Sequence, residues 1–122
     1  MKLTFVEMKW FTQRLAARLD EASYRTFQQE LLHNPEKGRV MPGCGGLRKV
    51  RARDQSRGQG KSGGVRIIYL YIPQACRIDL FDVYGKDEKG DLTPQEKKIL
   101  AGMVDQVRQE AIRAYQRRRG TR

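Results

Sequence analysis

Hydrophobic positions recur along this chain with two periods, and the switches between them divide it into elements. Residues 3–6 alternate weakly and predict a short strand. Phe11, Leu15 and Leu19 then recur every fourth residue, one face of a helix. Asp20 stands where it can cap a second helix, in which Tyr24, Phe27 and Leu31 repeat the spacing. Asn34-Pro35 stops that helix, because the residue before proline avoids the helical region. The two helices are close enough in sequence to form an antiparallel hairpin. Residues 36–46 read as a loop, broken by Pro42, Gly43, Gly45 and Gly46.

Alternation returns over residues 47–53. It sets Lys49, Arg51 and Arg53 on one face and Arg48, Val50 and Ala52 on the other. A glycine-rich basic loop follows, residues 54–64. Residues 65–72 are β-branched and aromatic, the strongest strand pattern in the chain. Pro73-Gln74 turns the chain into another apolar strand, 76–84, which completes an antiparallel meander of three strands. Thr93-Pro94-Gln95-Glu96 is a capping box with proline at the first helical position. Behind it Ile99, Leu100, Met103, Val104, Val107 and Ala111 make an apolar stripe that Tyr115 extends. Residues from about 113 to 122 are expected to fray. The expected class is therefore α+β: one domain, 1–122, with an N-terminal helix hairpin, an antiparallel three-stranded meander and a C-terminal helix.

Composition narrows the function. The 25 Lys+Arg against 14 Asp+Glu leave +11 at pH 7. Such a balance points to a polyanionic partner. Arg48, Lys49, Arg51, Arg53, Arg57, Lys61 and Arg66 crowd one central stretch, with Asp54 the only acid among them. Arg113, Arg117, Arg118, Arg119 and Arg122 form a second cluster. No apolar run reaches the roughly 18 residues of a membrane span, and the start does not read as a signal peptide. The expected setting is cytoplasmic, with no membrane partner. Two cysteines and one histidine cannot supply a four-ligand zinc site. A disulfide between Cys44 and Cys76 is disfavoured in a reducing compartment, and Cys76 reads as a buried strand residue. His33, at a helix end, reads as a dipole partner rather than a base.

Gly60-Lys61-Ser62 looks like the end of a phosphate-binding loop. Gln55 stands where its first glycine belongs, and the segment leads into a strand, so that reading is rejected. The cations on neighbouring strands carry more. Lys49, Arg51 and Arg66 are expected on a common surface, where like charges repel unless an anion sits between them. Tyr84 and Lys86 end the next strand and fall on one side if it stays extended through Gly85. A tyrosine among cations offers a stacking surface for a base or a phenol for proton transfer. These are the groups a ribonuclease using the substrate's own 2′-hydroxyl needs: a base, an acid and fixed positive charge, with neither metal nor cofactor.

Taken in order, Gly45-Gly46-Leu47-Arg48-Lys49-Val50-Arg51, Gly60-Lys61-Ser62-Gly63-Gly64-Val65-Arg66-Ile67-Ile68-Tyr69, Tyr84-Gly85-Lys86-Asp87-Glu88-Lys89 and Asp91-Leu92-Thr93-Pro94 resemble the RelE superfamily of toxins. The HigB type of bacterial type II toxin–antitoxin systems is the branch they match, and Phe5-Val6-Glu7 and Tyr24-Arg25-Thr26-Phe27-Gln28 fit it too. The resemblance implies a RelE-like small domain, with the N-terminal helix hairpin packed on a twisted antiparallel sheet plus a C-terminal helix, and an mRNA interferase that enters the ribosomal A site and cuts translated message, leaving a 2′,3′-cyclic phosphate. It implies as partners the ribosome, mRNA and a cognate antitoxin, HigA-like with a helix-turn-helix domain. Carried over by position, Arg66 would meet the scissile phosphate. Lys49 or Lys86 would be general base, with Arg51 or the other lysine at the leaving group, and Tyr84 would stack on or orient a base. Arg48, Arg53 and Lys61 would hold RNA backbone. Asp87 stands where some relatives have arginine, and the tail lacks the His or Glu that others use. The ParE branch shares the fold and poisons DNA gyrase without cutting RNA. The competing expectation is therefore a non-catalytic basic binding module.

Overall fold

The computed structural model describes residues 2–54, 64–86, 88 and 92–120. Its elements are β1 (Thr4–Glu7), α1 (Lys9–Arg18), α2 (Glu21–His33), β2 (Arg39–Val40), β3 (Arg48–Ala52), β4 (Val65–Ile72), β5 (Arg77–Gly85) and α3 (Pro94–Gly120), with a 3-10 turn at Pro73–Ala75 between β4 and β5. The class is α+β. Five strands make one sheet in the order β1-β5-β4-β3-β2. Strands β2 to β5 pair antiparallel, as the meander predicts, but β1 runs parallel to β5. The sheet is therefore mixed, not antiparallel throughout. Hydrophobic period reports which faces are buried, and it carries no information on the direction of a partner far away in sequence.

Two cores form, one on each face of the sheet. On the first, Phe11, Leu19, Phe27 and Leu31 from the helix pair pack against Val50, Ile67, Tyr69 and Val83. The Phe11 and Tyr24 rings, 6.0 Å apart, tie α1 to α2. On the second face, Val104 and Ala111 of α3 bury against Leu47, Ile68, Leu70, Ile72 and Phe81. Strands β4 and β5 are covered on both sides, which explains their nearly unbroken apolar sequence. The caps act where expected. Asp20 accepts from the Ser23 amide at 3.3 Å. At α3 the Thr93 hydroxyl accepts from Glu96 N (3.1 Å) while the Glu96 carboxylate accepts from Thr93 N (2.8 Å).

Four local expectations change. Within the segment read as loop, Arg39–Val40 pairs with β3 as a short edge strand, too brief to show a period. Cys76 is buried but sits on the turn before β5 with φ 50°, rather than in the strand; both cysteines are free thiols. The arginine-rich tail stays helical to Gly120, where its cations face the negative end of the helix dipole. On α3, Leu100 and Val107 pack into the core, but Ile99 and Met103 are exposed. Each lies one residue, about 100° of rotation, off the buried stripe.

Two features position the site. Ile68 pairs with Asp82 but Tyr69 pairs with Leu80, so Phe81 is an extra residue, a β-bulge. Gly64 enters β4 with φ +88°, and a Cβ there would lie 2.4 Å from the Ala52 carbonyl oxygen. Gly64→Ala is expected to cost about 2 kcal/mol or more, read as a lower urea midpoint at unchanged slope. Gly102 on α3 has open space where its Cβ would be. Gly102→Ala is expected to stabilise by about 0.5–1 kcal/mol in the same measurement.

Candidate nucleic-acid interface

Register brings the cations together. Arg51 pairs with Arg66, and Arg66 pairs with Tyr84. Directly paired residues in an antiparallel sheet project to the same side, with Cα atoms about 4.5–5.5 Å apart. Arg51, Arg66 and Tyr84 are thus one row across three strands. Lys49 lies two residues along β3, about 7 Å away on the same face, and it pairs with Ile68 and with Arg39 of β2. This is the face that α3 covers further along. Strand register thus sets Lys49, Arg51 and Arg66 on the same side of the sheet.

The guanidinium of Arg66 is the most constrained of these groups. Its Nη1 is buried and has no hydrogen-bond partner among the described residues. A charged donor so placed is costly to leave unmatched, and like charge opposite it on Arg51 adds to the cost. An anion seated between the strands relieves both. Tyr84 is buried at 8% exposure and belongs to the core beneath α3, so it reaches the row from below rather than projecting into solvent. Lys86 is exposed in the turn after β5, beyond the extended backbone that would have aligned it with Tyr84.

Two of the sequence candidates stand elsewhere. Arg48 faces the opposite side with Tyr69. Its guanidinium donates to the carbonyls of Glu36 (3.1 Å) and Gly38 (2.7 Å), so it braces the loop before β2 instead of joining the row. There the Tyr69 hydroxyl donates to Pro35 O (2.8 Å) and accepts from Gly38 N (2.9 Å), and burial pushes that phenol's pKa up. Arg53 is exposed past the end of β3 and borders, with Arg51 and Lys37, a smaller hollow of about 280 Å³ against α2. Lys61 lies outside the described residues.

Beside the row the sheet opens into a groove of about 920 Å³ under the first turns of α3. Lys49 and Tyr84 line it, and so do residues that the sequence reading did not select: Arg39, Trp10, Asp82 and Lys97. Arg39 was hidden in an apparent loop. Trp10 carried a signal, being a large aromatic one position off the α1 stripe. Asp82 is buried and held by the Arg14 guanidinium at 2.8 Å and the Val83 amide at 2.9 Å. Among the described residues, no three His, Cys, Asp or Glu side chains are grouped to hold a metal ion. No described helix is long and apolar enough to cross a membrane. No protein-family model matches the chain.

The turn carrying Lys86 is fastened by Glu88. This carboxylate accepts from the Gly85 amide and from Arg18 at 2.9 and 2.5 Å. The Arg18 hydrogen bonds, then the Gly85 amide, hold its pKa at about 2. A depressed carboxylate pKa means that the tie contributes fully above the ordinary value near 4.3 and is lost as pH falls through about 2. The side-chain carboxyl signal of Glu88, followed by NMR, is expected to titrate near 2 and to return toward the ordinary range in Arg18→Ala.

Proposed function

We propose that this chain is a RelE-like toxin of the HigB type, a ribosome-dependent endoribonuclease that cleaves message by attack of the substrate's 2′-hydroxyl. The observation that carries the reading is the buried, partnerless Arg66 Nη1, set in one cross-strand row with Arg51 and Tyr84. The arrangement of β1, two helices, a meander and a C-terminal helix supports the RelE-like fold, and the +11 charge supports a polyanionic substrate.

In this reading Arg66 holds the scissile phosphate and, with Arg51, offsets the charge that grows on the phosphorane. Lys49, on the same face, takes the 2′-hydroxyl proton as the new O2′–P bond forms. Lys86 donates a proton to the 5′-oxygen as the P–O5′ bond breaks. The products are a 2′,3′-cyclic phosphate and a 5′-hydroxyl. Tyr84 orients the adjoining nucleotide. The nucleophile is already in the substrate, so the side chains need only position, neutralise and move protons.

A binder without chemistry has its own support in the arginine-rich end of α3, which lies beside Cys76 at the far end of the sheet from the row. Primer extension on a message under translation separates the two. The wild-type chain is expected to generate new 5′ ends, Arg66→Met to reduce them by about 10²–10³-fold and Lys49→Ala by about 10²–10⁴-fold. Arg66→Met is also expected to keep or raise the thermal midpoint, because it removes an unmatched buried donor. Intact message beside blocked translation, or cleavage unchanged by both substitutions, overturns the nuclease reading.

A further inference from the structure

Lys49, Arg51, Arg66 and Tyr84 all lie within paired strands, so the ladder holds them in place. Lys86 lies past Gly85, the last residue of β5, and outside that ladder. A proton donor to the leaving oxygen needs its position fixed as closely as the other groups, because rate falls steeply with misplacement. Whatever fixes Lys86 therefore belongs to the site, even without touching substrate.

The turn that carries Lys86 is closed three ways. Glu88 N donates to Gly85 O at 3.2 Å, the bond of a four-residue turn with Lys86 in its second position. The Glu88 carboxylate bends back and accepts from the Gly85 amide. Arg18, in the last turn of α1, holds that carboxylate by both oxygens, Nε to Oε1 at 2.9 Å and Nη2 to Oε2 at 2.5 Å. Its Nη1 donates to the Arg14 carbonyl at 3.2 Å, so all three guanidinium nitrogens are committed. Two parallel bonds to one carboxylate fix orientation as well as distance. The packing is close too, since a Cβ on Gly85 would lie 3.2 Å from Glu88 Oε1. Four residues earlier on the same helix, Arg14 holds Asp82 at 2.8 Å. Helix α1 thus grips β5 and its turn on either side of Tyr84 and Lys86.

Global stability does not account for this buckle. The Arg18 and Glu88 side chains keep 26% and 42% of their exposure. Ion pairs so exposed add little to folding, and ordering two long side chains costs entropy. What the pair does is hold one short turn still. We propose that Arg18, acting through Glu88, is a positioning residue for Lys86: it keeps the ammonium where the 5′-oxygen leaves, so that the proton passes to that oxygen as the P–O5′ bond breaks. The assignment rests on the ribonuclease reading, in which Lys86 is the acid.

Single-turnover cleavage of message on stalled ribosomes tests it, with the rate followed as a function of protein concentration. Lys86→Ala sets the ceiling, a loss of about 10²–10⁴-fold. Arg18→Ala is expected to slow the saturated step by about 10–10²-fold while the half-saturating concentration stays the same. Glu88→Ala reaches the buckle from its other side and is expected to give the same loss, and the double variant no more than either alone. In a Lys86→Ala background, Arg18→Ala is expected to cost less than about twofold, whereas a merely structural role would cost the same in both backgrounds. In the substrate-free protein the Gly85 amide is expected to exchange with solvent faster in Arg18→Ala than in the wild type, followed by NMR. Cleavage by Arg18→Ala at the wild-type rate, or an equal loss with and without Lys86, overturns the proposal and leaves the nuclease reading standing. A wild-type chain that never cuts message overturns both, and the Gly85 exchange then reports the buckle alone.

Discussion

The pairing of β4 between β3 and β5 is the constraint on which the rest of the molecule depends. Ile67 and Tyr69 are buried on one face of β4, and Leu70 and Ile72 on the other. A slip of one residue would exchange these two sets between differently shaped cores, so the register is strongly specified. That same register sets Arg51 opposite Arg66 and Arg66 opposite Tyr84. The charged row is thus an outcome of hydrophobic packing elsewhere along the strands. The backbone frame fixes the spacing of these two arginines across the strands.

Helix α3 converts this row from a surface into a recess. Leu100, Val104, Val107 and Ala111 anchor it to the sheet, and the loop before β3 docks beneath it. There a Cβ on Gly45 would come within 3.2 Å of Val104, and Arg108 donates to the Gly45 carbonyl at 2.5 Å. Close backbone approach at one end fixes the depth of the groove at the other. The exposed Ile99 and Met103 follow from this placement, since α3 rests on the sheet along one stripe and overhangs it beside Lys49 and Tyr84.

Much of this was legible in the sequence, for reasons that can be stated. The meander strands and both helix caps came from strong local signals: β-branched runs, alternation, and the Thr93–Glu96 box. The shared face of Lys49, Arg51 and Arg66 followed from strand parity. Three things were not legible. The direction of β1 depends on a partner some seventy residues away. The strand at Arg39–Val40 is too short to show a period. Which apolar residues of α3 would be covered depends on how far the helix overhangs the sheet, and composition does not encode that. Arg48 illustrates the limit of counting charge. It belongs to the same basic stretch as Lys49, yet one step along the strand turns it to the other face and into a loop brace.

The extra residue at Phe81 has a consequence for how the chain tolerates change in length. Upstream of it, Ile78 and Leu80 point toward the helix pair; downstream, Asp82 and Tyr84 point toward α3. Both stretches can be satisfied only because two successive residues, Phe81 and Asp82, share a side. Removing Phe81 would restore strict alternation: Ile78, Leu80 and Val83 would still face the helix pair and Tyr84 would still face α3, with only the Phe81 ring lost from the second core. The Phe81–Asp82 bulge is therefore the place in β5 where the strand can lose a residue without turning its flanks over, whereas a deletion elsewhere along it would reverse which side chains meet which core.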